Sequence, residues 1–248
     1  SAGGASLGIL VEIDAGSGGS GVATGADAVS LAQKVSAAEG LRLDGLMASL
    51  PDPAVQHLSR DGSTKADRSA GDTKARLQEL VETSRLLPRQ GDSSTVVSVS
   101  ANGYDMISGV SGITEIQAGS YALMDQAHRQ SQPGFMPAAK ILASVISHPV
   151  KNSAVLDAGH KSTGPELGLP VVDESVDGSG GAKAIRFSAE HGVLELGESA
   201  TGDFMPGDKV WLVPYDLELS LNQYDYIRAV RNGKLEGFWP IAARGRFS

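Results

Sequence analysis

The 248-residue chain contains no cysteine. That excludes a disulfide framework, a thiolate nucleophile and any cysteine-ligated metal site. It also favours a reducing intracellular compartment, the cytoplasm or an organelle interior. Aromatic residues make up only 5% and are not interleaved with a basic stripe, which argues against nucleic-acid binding. No apolar run approaches the length of a membrane span. The opening Ser1-Ala2-Gly3-Gly4-Ala5-Ser6 has no apolar core and does not read as a secretory signal. Cations are the minority: 21 Lys and Arg against 29 Asp and Glu give a net charge of −8. The carboxylates are scattered, a pattern that serves solubility.

What is present is 41% hydrophobic residues, enough for one large core or two modest ones. The first part alternates strand and helix patterns. Leu7 to Ile13 reads as a buried strand, Ala26 to Ala38 as a helix with Val29, Ala32 and Val35 on one face, and Leu41 to Met47 as a second strand. A strand so near residue 1 implies a structural complement upstream or on another chain. A long polar stretch, 49–71, reads as a mobile loop rather than a functional one. Asp72 is the expected N-cap of a helix from Thr73 to Leu87, with Leu77, Leu80 and Val81 inward and Pro88 at its end. Thr95 to Val99 reads as a third strand, and residues 113–125 begin as a strand and turn at Gly119. This alternation predicts a parallel α/β arrangement over 1–137. From 138 to 248 the pattern becomes all-β. Strands are expected at Lys140–Ser147, Ala154–Asp157, Ala184–Ser188, Val193–Leu196, Lys209–Val213 and Tyr226–Val230, with Asn232-Gly233 as a hairpin turn and Asp177 to Gly181 as a surface loop.

One motif offers a functional reading on spacing alone. Gly16-Ser17-Gly18-Gly19-Ser20-Gly21 matches G-x-G-x-x-G between a strand and a helix, and Asp44 closes the next strand where a ribose-binding acid would sit. A nucleotide-binding Rossmann domain is therefore one expectation. Against it, Asp44 is late for the usual spacing, and Glu12 and Asp14 place two carboxylates where a pyrophosphate would lie. The chain after 138 is also not a second mononucleotide-binding half. A flexible Gly/Ser turn is the simpler reading.

Several segments, taken in order, resemble the pyridoxal-phosphate (PLP) enzymes that include D-threonine aldolase and D-serine dehydratase. These are Val11-Glu12-Ile13-Asp14-Ala15-Gly16, Gly40 to Met47, Thr114 to Tyr121, Ala154 to Lys161, Ser188 to Gly192, Gly207 to Tyr215 and Trp239 to Arg246. The resemblance implies the alanine racemase type of fold: a TIM-barrel-like part, here partial, followed by a β-domain. It also implies a lyase chemistry on D-3-hydroxy amino acids, with PLP and a metal ion (Mn, Mg or Zn).

The departures from the family pattern are systematic. The portion carrying the Schiff-base lysine has no counterpart in these residues. The family's first loop holds an arginine; Gly16 to Gly21 has none. A Y-E-G-H motif is replaced by Ser49-Leu50-Pro51-Asp52, and a G-G-T-like phosphate loop by Ser98 to Gly103. The family's metal histidine is Asp216 here, followed by Leu217 and Glu218.

The resemblance thus leaves three candidate groups. Gly119, Ser120 and Tyr121 are the expected phosphate holders, or an ordinary turn with a packed tyrosine. Asp216 and Glu218 are the expected metal ligands if the strand continues through them with both on one face; the plainer reading is a solvated acidic strand end. His160 and His191 are an acid/base or metal pair, or two structural histidines. A partial barrel would expose strand edges, so a protein partner or second chain is expected to cover them. Two function classes follow: a catalytically degenerate relative serving as a structural or interaction subunit of a larger assembly, and a fragment or subunit of an active PLP- and metal-dependent lyase.

Overall fold

The computed structural model describes residues 6–16, 19–50, 70–88, 95–100, 104–164, 167–175, 179–200 and 204–246. The chain divides into two compact units, Ser1–Gly119 and Ser120–Ser248.

In the first unit, β1 (Leu7–Ile13), α1 (Ala26–Ala37), β2 (Leu41–Ser49), α2 (Ala70–Arg85), β3 (Val96–Ser100), α3 (Tyr104–Ser108) and β4 (Glu115–Ile116) follow one another. The four strands form one all-parallel sheet in the order β1-β2-β3-β4. Apolar runs in β1 to β3 bury Val11, Ile13, Leu46, Ala48, Val97 and Val99 against helix residues such as Ala28, Ala32, Leu77 and Leu80. The expected α1 face meets the core and widens to include Ala28. Ala28 and Ala32 are buried, while Val29 and Val35 are partly buried against the same core. Small alanines let the helix approach the sheet closely. Gly45 has a comparable reason: a Cβ there would meet the Val96 carbonyl oxygen of the neighbouring strand.

Two sequence expectations are corrected in this unit. Helix α2 begins at Ala70 rather than at Thr73, so Asp72 lies within its first turn and is not the cap. Strand β2 runs on to Ser49, which places Asp44 inside it. Most of the polar stretch, 51–69, lies outside the described residues.

The second unit opens with a 3₁₀ turn (Ser120–Ala122) and α4 (Gln126–Ser131). Then come β5 (Ile141–Val150), β6 (Ser153–Leu156), α5 (His160–Thr163), β7 (Val171–Val172), β8 (Ala182–Phe187), β9 (Gly192–Leu196), β10 (Lys209–Val213), α6 (Leu217–Leu221), β11 (Tyr226–Arg231) and β12 (Lys234–Pro240). Six strands form an antiparallel sheet in the order β7-β10-β5-β6-β9-β8. Its ends, β7 and β8, approach one another, so the sheet is nearly closed. Alternate residues such as Ala143, Val145, Ala154, Leu156, Leu194 and Leu212 fill its interior. Strands β11 and β12 form a separate hairpin, with Asn232 and Gly233 at φ 50° and 73°. Positive φ at both positions is what a tight hairpin turn demands.

The all-β pattern begins near 138, yet the second unit starts at Ser120. Backbone bonds from Gln126 and Ala127 to the carbonyls of Pro214 and Tyr215 attach the start of α4 to the end of β10. Among the described residues no helix is long and apolar enough to cross a membrane.

Candidate functional site

Ligand sites of parallel sheets lie at the C-terminal ends of the strands, where loops and helix starts converge. In the first unit that end carries a cleft of about 320 Å³, between the ends of β1 and β2 and helix α2. Its polar lining is Asp14, Thr24, Arg76 and Glu79. Asp14 follows β1 and accepts a hydrogen bond from the Gly16 N–H at 2.9 Å. The Arg76 guanidinium reaches back from α2 and donates to the Ala15 carbonyl. A Cβ at Gly16 would fall on that guanidinium, the movable end of a long side chain, and it is the φ of 96° that favours glycine. The Thr24 hydroxyl donates to Glu79. Among the described residues no lysine lines the cleft. Sequence reading missed Arg76. Its only signal was its place beside Leu77, next to the inward stripe of α2.

In the Gly-rich loop Ser17 and Gly18 lie outside the described residues, and the described part, Gly16 and Gly19 to Gly21, does not lead directly into a helix. After Gly21 the chain returns to β1: Val22 donates to Glu12 and accepts from Asp14, both at 3.0 Å. Helix α1 starts only at Ala26, with Gly25 N–H bonded to Thr83 Oγ1 at 3.1 Å. The Glu12 carboxylate accepts from Ser20 at 2.7 Å. Asp44 sits at a register shift opposite Ile9 and Leu10, away from the strand end, and is held in a two-bond pair by Arg42 (2.6 and 2.9 Å). Its carboxyl is lowered below its ordinary range by that bond.

The segment resembling a phosphate-side motif has a traceable packing role. Ser98, fully buried in β3, donates to Glu115 at 2.5 Å and accepts from Gln117 Nε2 at 2.9 Å. Thr114 and Gln117 extend the β4 pairing through bonds to the Val97 and Val99 carbonyls. Glu115 and Gln117 thus satisfy a polar group that would otherwise be costly inside the sheet. Gly119 ends the first unit, and nothing lies within 4 Å of where its Cβ would be, so no tight cradle demands glycine there. Ser120 and Tyr121 begin the second unit in the 3₁₀ turn. Tyr121 is 47% exposed, and its ring stacks tilted against Phe135 at 5.9 Å.

In the second unit the expected metal pair stands differently from the sequence reading. The strand stops at Val213, and Asp216 is the N-cap of α6, its Oδ1 accepting the Leu219 N–H at 2.9 Å. Glu218 lies in the first helical turn. The two carboxylates therefore do not share a strand face. Alternating residues from Tyr215 to Glu218 imitated a strand, while the cap geometry won locally. Among the described residues no group of three His, Cys, Asp or Glu side chains could hold a metal ion.

His160 opens α5, with its ring 6.2 Å from that of Phe187. His191 lies exposed in the β8–β9 turn. Both attach to Ser188 through the main chain. His160 N–H donates to the Ser188 carbonyl at 2.8 Å, and His191 N–H to Ser188 Oγ at 3.1 Å. Lys161 and Glu190 form an exposed ion pair beside them.

A buried carboxylate of this unit went unread in the sequence. Asp125, 2% exposed, caps α4 by accepting from the His128 N–H at 2.9 Å, and it also bonds the His128 ring at 2.8 Å. Its other oxygen accepts the Leu217 N–H at 3.0 Å, tying α4 to the start of α6. Burial pushes its pKa up, but the bonds from His128 and Leu217 outweigh that and hold the carboxyl below its usual range. The available signal was Asp-x-x-His ahead of a short helix.

Residues 138–230 match the family described as the putative serine dehydratase domain. Along 98% of its length the chain is 36% identical to a 3-hydroxy-D-aspartate aldolase of Paracoccus denitrificans (strain Pd 1222), covering 62% of that protein. The crystal structure of D-threonine aldolase from Filomicrobium marinum superimposes with a TM-score of 0.79 at 30% identity, over 98% of this chain and 64% of that one. This chain is related to the D-threonine aldolase and D-serine dehydratase group. Its fold is the alanine racemase type. Alanine racemase from Bacillus anthracis shares that fold, at 14% identity and TM-score 0.55 over 95% of this chain and 67% of the racemase. The chain spans a little under two thirds of the length of the aldolases it matches.

Proposed function

We propose that this chain is a catalytically degenerate relative of the PLP-dependent D-3-hydroxy amino acid lyases, retained as a structural or interaction subunit of a larger assembly. The observation that carries this reading is Asp216. At the position of the family's metal histidine stands a carboxylate that caps α6, with no third donor gathered around it among the described residues. Other resemblance-bearing residues serve packing in the same way: Glu115 and Gln117 satisfy Ser98, and Gly119 sits in open space rather than in a cradle. Among the described residues no three donors gather into a metal centre, and no catalytic step is assigned to Asp216, Glu218, Gly119, Ser120 or Tyr121.

A second reading is favoured by 36% identity to a named 3-hydroxy-D-aspartate aldolase along nearly the whole chain. In it the chain is part of an active lyase, with the lysine supplied by another segment or a partner. The two part on one assay. The full protein is given PLP and Mn²⁺ and offered D-threonine and 3-hydroxy-D-aspartate. Absence of an imine absorption band and of glycine release supports the first reading. Turnover establishes the second.

A further inference from the structure

The sheet of the first unit has two faces with different chemistry. Its register aligns Glu12, Met47, Ser98 and Glu115 in one row across the four strands, and Ile13, Ala48, Val99 and Ile116 in the next. Adjacent rows of a sheet point to opposite faces. The Ile13 row packs with Ala28 of α1 and Leu77 of α2. The Glu12 row faces the other way, and Glu115 of the segment resembling a phosphate-side motif belongs to it. The cleft at the strand ends opens on the helix side, since Ile13, Ala48, Leu50 and Leu77 form its apolar wall. It is therefore separate from the face that carries Glu115.

Polar groups converge on that wall from two elements. At the end of β1 the Gly16 N–H fixes Asp14 Oδ1 at 2.9 Å. Arg76 Nη1 donates to the Ala15 carbonyl. A guanidinium offers N–H donors in a rigid fork, and this bond turns the fork towards the strand ends. Glu79, three residues along the same face of α2, accepts the Thr24 hydroxyl. Residues so spaced on a helix stand about 5–6 Å apart at Cβ. A single carbon bearing a carboxylate and an ammonium spans that interval with one charged hydrogen bond at each end.

Charge selects the ligand class. Among the described residues one guanidinium and two carboxylates line the cleft, a net of −1. A phosphate or a dicarboxylate meets two like charges there, and a bare amine meets Arg76. A ligand carrying one charge of each sign satisfies both. The apolar wall takes an aliphatic body, and a volume of about 320 Å³ lies at the small end of ligand pockets.

We infer that this helix-side cleft binds a small aliphatic α-amino acid, its carboxylate on Arg76, its ammonium on Glu79 and Asp14, and its side chain against Ile13, Leu50 and Leu77. Binding makes and breaks no covalent bond and needs no cofactor, so it stands whichever reading of the lyase chemistry holds.

The test is ligand-observed NMR titration of the full protein without PLP. The probes are cycloleucine, an achiral cyclic aliphatic amino acid, and its two halves, cyclopentanecarboxylate and cyclopentylamine. Cycloleucine is expected to bind with a Kd of about 1 mM. Each half is expected to bind at least about tenfold more weakly, the scale of one lost charged hydrogen bond. Arg76→Gln is expected to weaken cycloleucine at least about tenfold and to leave cyclopentylamine no weaker. Glu79→Gln, at an exposed position, is expected to weaken cycloleucine and spare cyclopentanecarboxylate, with circular dichroism unchanged. A purely structural role for either residue would move the three probes together. No cycloleucine binding at about 10 mM, equal binding of the three probes, or binding indifferent to both substitutions would overturn the inference. So would displacement of cycloleucine by inorganic phosphate, which would mark an anion site instead.

Discussion

Replacing Asp125 with alanine tests how the second unit is held together. The carboxylate is 2% exposed and accepts three hydrogen bonds, from the His128 N–H, the His128 ring and the Leu217 N–H. Losing the α4 cap costs about 1 kcal/mol. Leaving the Leu217 N–H unpaired adds about 1–3 kcal/mol. The expected total is about 2–4 kcal/mol, or roughly 5–15 °C in melting temperature for a unit of this size. Trp211 and Trp239 both lie in the second unit, so tryptophan fluorescence during urea unfolding reads that unit alone. The dependence on pH has a definite sign. The folded-state pKa of Asp125 is lowered, so its contribution is full above the unfolded value of about 3.9 and is lost as pH falls through the folded value. The gap between wild type and Asp125→Ala is therefore expected to be constant near neutrality and to narrow below about pH 4. A gap under about 0.5 kcal/mol, the range of ordinary surface changes, would refute the reasoning. A gap unchanged down to pH 3 would refute the electrostatic part.

Asp216→Ala is expected to lower stability by about 1 kcal/mol through loss of the α6 cap, and added Mn²⁺ is expected to leave the melting temperature of wild type unchanged. Differential scanning fluorimetry reads both. Gly45→Ala drives a Cβ into the Val96 carbonyl of β3 and is expected to cost about 3 kcal/mol or more, seen as loss of the first unit's transition by circular dichroism. Leu212→Ala empties a fully buried position in β10 and is expected to cost about 2–5 kcal/mol, measured by the same tryptophan-detected urea unfolding.

Elements with a long apolar signal were legible in the sequence. Leu7–Ile13 and Lys209–Val213 stand as expected, and the Asn232-Gly233 turn joins β11 to β12. Legibility failed where the pattern is short or ambiguous. Strand β7 is two residues long and has no periodicity to read. Tyr215 to Glu218 alternates like a strand, yet Asp216 satisfies a helix-start N–H once the strand has ended. The candidate site was less legible than the fold, because its groups come from distant segments. Arg76 meets Ala15 across 61 positions, and Asp125 meets Leu217 across 92. Spacing rules do not reach that far. The resemblance located the scaffold, but it could not foresee which of the retained residues bond to one another.

The scaffold is proposed to persist without the lyase chemistry. The most direct measurement is titration of the full-length protein with PLP in the presence of Mn²⁺, followed by absorption and by glycine release from D-threonine. No imine band is expected, and no glycine above the rate without protein. A saturable band accompanied by turnover would contradict it.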